Sequence, residues 1–193
     1  MLKNLKDRNI ILGSRSPRRR YLLEQLGLSF TVMSAEMEEN IPEGLDPEKA
    51  AILIAEMKSA HFRELLDNPE NIVITADTLV VIDGQILGKP KDPDEGRQML
   101  RALSGRVHEV MTGVCIRDSQ KSRSFTASTH VWFKSLSDAE IVYYLENYKP
   151  YDKAGAYGIQ EWIGYIGITR IEGSYFNVMG LPVQRLYEEL LKF

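Results

Sequence analysis

The chain has 193 residues, 44% of them hydrophobic and 26% charged, a balance that excludes collagenous, low-complexity and disordered classes and leaves enough for a buried core. Its 24 basic and 27 acidic residues leave a net charge of −3, which argues against nucleic-acid binding through a basic surface. No apolar run reaches the roughly 20 residues of a membrane span, the start MLKNLKDRNIILGSR is too polar for a secretory signal, and the single Cys115 can form neither an internal disulfide nor a zinc cluster. The expectation is one cytoplasmic domain over residues 1–193, with Cys115 packed in the interior.

Residues 9–13 read as a short buried strand, after which Ser16-Pro17 opens a helix with Ser as N-cap and Pro at the first helical position. Leu22, Leu23 and Leu26 give that helix its inward face and Gly27 ends it. A second helix starts at Asp46-Pro47, carries Ala50, Leu53, Ile54, Met57 and Ala60, and runs toward Leu65, stopping before Asn68-Pro69. Residues 72–82 are a β-rich run, and Asp83-Gly84 turns it into a second strand at 85–88. Asp92-Pro93 and Ser104-Gly105 frame a third helix, and residues 107–116 and 125–133 read as long strands. Ser137 with Glu140 is a capping box for a helix carrying Ile141, Val142, Tyr144 and Leu145. Residues 162–171 have strand character, and Leu181-Pro182 starts a last helix. Hairpins among alternating helices call for an α/β domain with a mixed sheet.

Four places conflict with local physics, and such conflicts mark functional or strained sites. Arg18, Arg19 and Arg20 occupy the first turn of a helix, where cations oppose the macrodipole by a few tenths of a kcal/mol each. With Gly13 and Ser14 before them they form either an anion site or a solvated basic turn; the Walker A spacing is missing. Asp77 lies inside an apolar β run, as a metal ligand, a general base, or a carboxylate exposed at an edge or bulge. In residues 152–160, Gly155 and Gly158 allow close ligand approach, with Lys153 and Gln160 in reach, although a surface loop would use the same glycines. Lys89 follows a hairpin strand and is a strong point charge for phosphate. His61, His108 and His130 share no ligand spacing, and no nucleophile elbow is present. Basic groups, the acidic stretch around Glu38 and Glu39, and a strand-borne Asp together fit a polyphosphate substrate with a divalent cation.

The segments Gly13-Ser-Arg-Ser-Pro-Arg-Arg19, Ala76-Asp-Thr78, Gly88-Lys-Pro90, Leu103-Ser-Gly105, 152–160, Gly173-Ser-Tyr and Gly180-Leu-Pro182, in this order and spacing, resemble the Maf family of nucleoside triphosphate pyrophosphatases. The resemblance implies a fold similar to inosine triphosphate pyrophosphatases: an elongated mixed β-sheet flanked by helices, with a cleft between two lobes. It also implies cleavage of the α,β phosphoanhydride with a divalent metal, Mg²⁺ or Mn²⁺. Asp77 falls on the proton acceptor, and Glu39 and Asp77 on metal-associated positions. Ser14, Arg19, Lys58, Lys89 and Lys153 fall on the phosphate path, Lys58 through the helix pattern alone. Arg18, Thr78 and Gln160 match the branch acting on dTTP and UTP rather than the one acting on 7-methyl-GTP. Gly13 where alanine is common and Glu161 where glycine is usual depart from the pattern. A homodimer is implied as well. The competing class is a regulatory protein of septum formation, for which a nucleotide would be a signal rather than a substrate.

Overall fold

The computed structural model describes residues 2–34, 42 and 44–193. Its elements in chain order begin with β1 (Asn9–Gly13), α1 (Pro17–Glu24), β2 (Phe30–Met33), α2 (Pro47–Ala60), β3 (Asn71–Ile82) and β4 (Gln85–Leu87). There follow α3 (Pro93–Leu103), β5 (Val107–Arg117), β6 (Ser122–Phe133), α4 (Asp138–Tyr148), α5 (Trp162–Gly167), β7 (Ile168–Glu172), α6 (Tyr175–Met179) and α7 (Val183–Leu190). The strands form one seven-stranded sheet in the order β2-β1-β3-β5-β6-β7, with β4 on β3. It is mixed: β1 runs parallel to β2 and β3, whereas β3 pairs antiparallel with β4 and β6 with β7.

The caps form where the residue types call for them. Ser16 accepts the Arg19 backbone N–H, Asp46 those of Glu48 and Lys49, Asp92 that of Glu95, and Ser137 with Glu140 closes a full capping box. The Asp83-Gly84 turn has φ of 51° and 75°, the pair of left-handed residues that a type I′ hairpin needs. The second helix stops at Ala60, and residues 63–67 form a separate 3₁₀ turn.

One assignment from sequence is overturned. Trp162–Gly167 is helical, and strand begins only at Ile168. Gly164 makes the difference, because a Cβ there would lie 1.8 Å from the Ile159 carbonyl oxygen; the bare Cα lets the chain close a turn in which Gly164 N–H bonds Glu161 O at 2.8 Å.

The chain divides into two compact units, residues 1–77, 112–127 and 180–193 in the first and 78–111 and 128–179 in the second. In the first, Leu12, Leu22, Leu23, Ile54, Ile72 and Ile74 are fully buried or nearly so, and Cys115 is buried with them. In the second, Leu100, Leu103, Ile141, Tyr144 and Ile163 form the centre of the core. The unit boundary falls within β3, between Asp77 and Thr78.

Candidate active site

In the first unit, Asp77 stands in the middle of β3 and is only 8% exposed, so the edge or bulge alternative fails. Lys58, from the last turn of α2, donates to Asp77 Oδ1 at 2.6 Å. A nearly buried carboxylate needs such a partner, since an isolated charge in the interior costs several kcal/mol. Lys58, which the helix pattern assigns to the phosphate path, thus stands against the carboxylate.

Arg19 reaches the same strand by a different route. Its Nη1 donates to the Ala76 carbonyl at 2.7 Å and its Nε to the Gly180 carbonyl at 2.8 Å, so the guanidinium fork ties β3 beside Asp77 to the chain preceding α7. The β1 register on β3 ends at Ile74 and the β4 register begins at Val80, so Arg19 serves a carbonyl beyond both ladders. Arg18 is half-buried, while Arg20 is exposed and pairs with Glu24 one helical turn on. Ser14 is 8% exposed, its Oγ accepting the Ser16 N–H at 3.2 Å. Gly13 is explained by packing: a Cβ there would lie 2.6 Å from the Phe62 ring and 2.7 Å from the Thr75 methyl.

In the second unit, Thr78 is half-buried on β3 and Lys89 is exposed just after β4. The Gly155 N–H bonds the Gly88 carbonyl at 3.0 Å, which brings the backbone before Lys89 against the glycine loop. Gly155 has φ of 66° and packs on Val80, where a Cβ would be 2.9 Å away, so this glycine is required by both conformation and space. Lys153 is buried to 8% exposure and donates to Asp152 Oδ1 at 2.7 Å and Glu161 Oε1 at 3.0 Å. The Gln160 carboxamide oxygen is buried and takes no hydrogen bond from the described residues. A buried acceptor in that condition costs about 1–3 kcal/mol, a cost that a ligand N–H would remove.

Glu39 lies outside the described residues, as does Glu38. Among the described residues no three His, Cys, Asp or Glu side chains converge to hold a metal. His108 is a packing residue, edge-on to Phe133 and Tyr157, with Nε2 2.7 Å from the Tyr157 hydroxyl oxygen. One participant escaped sequence reasoning. In the sequence Tyr144 stands among the apolar residues of its helix, yet its hydroxyl donates to Glu161 and accepts the Gly158 N–H at 3.0 Å. Burial first, and the Glu161 carboxylate second, push the Tyr144 hydroxyl's pKa upward, so it stays a donor.

No helix among the described residues is long and apolar enough to cross a membrane. Residues 9–193 match the family of Maf-like proteins. A dTTP/UTP pyrophosphatase of Porphyromonas gingivalis is 54% identical over 100% of this chain and 98% of its own length. Proteins of the same name from Phocaeicola vulgatus and Bacteroides thetaiotaomicron are 53% and 47% identical, each with 100% of both chains covered. A weaker likeness, 15% identical with a TM-score of 0.46 over 65% of this chain and 72% of the other, is to the Staphylococcus aureus Ham1 protein, and at that score it says nothing of function.

Proposed function

This chain belongs to the Maf family, and we propose that it hydrolyses dTTP and UTP to the nucleoside monophosphate and pyrophosphate. The observation that carries the reading is Asp77, a nearly buried mid-strand carboxylate held by one lysine. Such a group is costly to keep and is suited to taking a proton from water. Lys58 occupies Oδ1, and the proton of the attacking water goes to the other oxygen, Oδ2. The water oxygen bonds the α-phosphorus as the bridge to the β-phosphate breaks, and pyrophosphate leaves with the bridging oxygen. Arg19 holds the backbone beside Asp77 in place, while Lys89 and Lys153 take up charge on the triphosphate.

A divalent cation fits the donor chemistry in one way. Mg²⁺ and Mn²⁺ are hard ions, and Mg²⁺ is usually held through one or two carboxylates with substrate phosphates and water completing its shell; Asp77 is one carboxylate of that kind, and the family resemblance assigns Glu39 as the other. Bound there, the ion would neutralise phosphate charge.

Base choice falls to Gln160, whose buried carboxamide oxygen is matched by the N3–H of thymine or uracil and mismatched by the N3 lone pair of cytosine. Thr78 and Arg18 are assigned to the same discrimination. The reading extends to a cytoplasmic homodimer that binds no nucleic acid, the net charge of −3 supporting the last point. The test is product analysis on a panel of dTTP, UTP, CTP, GTP and 7-methyl-GTP with Mg²⁺ or Mn²⁺. Pyrophosphate from dTTP and UTP well above the others supports the reading, while orthophosphate as first product, or preference for 7-methyl-GTP, overturns it.

A further inference from the structure

Glu161, the residue after Gln160, takes no part in the chemistry above, yet its carboxylate joins two buried groups. Oε1 accepts from Lys153 Nζ at 3.0 Å, and Oε2 accepts the hydroxyl of Tyr144, a side chain with no exposure. The same hydroxyl receives the Gly158 N–H, so a continuous chain of hydrogen bonds runs from Gly158 through Tyr144 and Glu161 to Lys153. Gly158 lies under this chain: a Cβ there would be 2.9 Å from Glu161 Cδ and 3.0 Å from Gln160 Nε2. Both side chains therefore fold back over one bare Cα.

The other carboxylate on Lys153 cannot do the same work. The side chain of Asp152 is 60% exposed, that of Glu161 only 19%. An exposed pair is screened and leaves a long lysine chain mobile, whereas a carboxylate anchored by a buried hydroxyl gives the ammonium one position. Ordering a flexible cation before the ligand arrives removes a cost that binding would otherwise carry.

We propose that Glu161 is a positioning residue for substrate binding, which aligns the Lys153 ammonium with the triphosphate, using the Tyr144 hydroxyl as its anchor. The proposal rests on the reading that Lys153 takes up charge on the triphosphate. A carboxylate that merely competed with phosphate for Lys153 would have the opposite effect on affinity.

The experiment is steady-state kinetics on dTTP with the full chain, comparing wild type, Glu161→Gln, Lys153→Ala and the double variant. Glu161→Gln is expected to raise KM about tenfold with kcat changed by no more than about twofold. Lys153→Ala should raise KM at least as much, and adding Glu161→Gln to it should change nothing further, because both losses act through one ammonium. If Lys153→Ala raises KM while Glu161→Gln lowers it or leaves it unchanged, the positioning role is wrong and the reading of Lys153 stands. A Lys153→Ala variant with wild-type KM removes both. An equal effect of Glu161→Gln in either background would make Glu161 a structural residue and overturn the proposal. Tyr144→Phe keeps both charges and deletes the anchor, so should Glu161→Gln fail to fold, it decides: a raised KM supports the chain of contacts, and an unchanged KM refutes it.

Discussion

Gly113 lies on β5 where the backbone of α2 passes directly over it, and replacing it with alanine should impair both stability and turnover. A Cβ at Gly113 would sit 2.2 Å from the Ala51 carbonyl oxygen and 2.6 Å from Ile52 N, backbone atoms that cannot swing aside. Restoring ordinary contact at 3.4 Å means moving α2 outward by about 1.2 Å. Lys58 is on the same helix two turns on, about 10 Å along its axis, so a rigid displacement carries it as well. The bond from Lys58 to Asp77, now 2.6 Å, would open to as much as about 3.8 Å, beyond hydrogen-bonding range. Overpacking of this kind costs about 1–3 kcal/mol, which for a chain of this length is a fall in Tm of roughly 2–12 °C. A displacement near 1 Å costs up to about a hundredfold in rate. Thermal unfolding and pyrophosphate release from dTTP are the two readouts. Gly84→Ala is the control, because its Cβ would meet nothing within 4 Å and only the left-handed φ of 75° is penalised, by roughly 1–2 kcal/mol, with kcat unchanged. A Gly113→Ala protein that melts like wild type refutes the packing argument, and one that melts early but turns over normally refutes the coupling of α2 to Asp77.

Burial holds the His108 imidazole down to about 4, so between about pH 6.5 and that value the unfolded chain binds a proton that the folded chain does not. Stability should therefore fall as pH drops through this window, by up to about 3 kcal/mol, and His108→Gln should flatten the dependence in urea melts taken across it. Burial alone would raise the pKa of Glu189, but hydrogen bonds from Lys192 and Arg185 and the charge of Arg123 hold it below the usual carboxylate range. Its contribution is present above about pH 4.3 and lost as pH falls through the lower folded value, so Glu189→Gln should lower Tm at pH 7 and remove that acid-limb loss. Arg19→Lys replaces the planar fork on the Ala76 and Gly180 carbonyls with a single ammonium nitrogen that cannot reproduce both bond directions; a loss of about 1–3 kcal/mol in urea melts is expected, with lower kcat.

Local chemistry was legible wherever one residue type decides the backbone. Ser16-Pro17, Asp46-Pro47, Asp92-Pro93 and the Ser137 capping box announce helix starts, and Asp83-Gly84 announces its turn. Trp162–Gly167 was not legible, because its Trp, Ile and Tyr residues favour strand and only the close approach of Gly164 to the Ile159 carbonyl makes the helix. Strand β2 was missed because Thr31, Val32 and Met33 are all exposed and no alternation marks them. The candidate site divides in the same way. Asp77 stood out as a charge inside an apolar run, but its pairing with Lys58 needs α2 laid against β3, a tertiary fact without a local signal. Arg19 reads as an anion ligand in the sequence, and only the structure shows that its fork also holds two backbone carbonyls. Glu161 could be noticed as a departure from the family pattern, and its meaning emerged only with Tyr144 beside it.

Activation of water by Asp77 for attack on the α-phosphorus is tested by hydrolysis of dTTP in heavy-oxygen water. The label is expected in the nucleoside monophosphate and not in the pyrophosphate, and Asp77→Asn, assayed below its own melting temperature, is expected to lower the rate by about a hundredfold or more. Label in the pyrophosphate, or a rate untouched by Asp77→Asn, would contradict this activation.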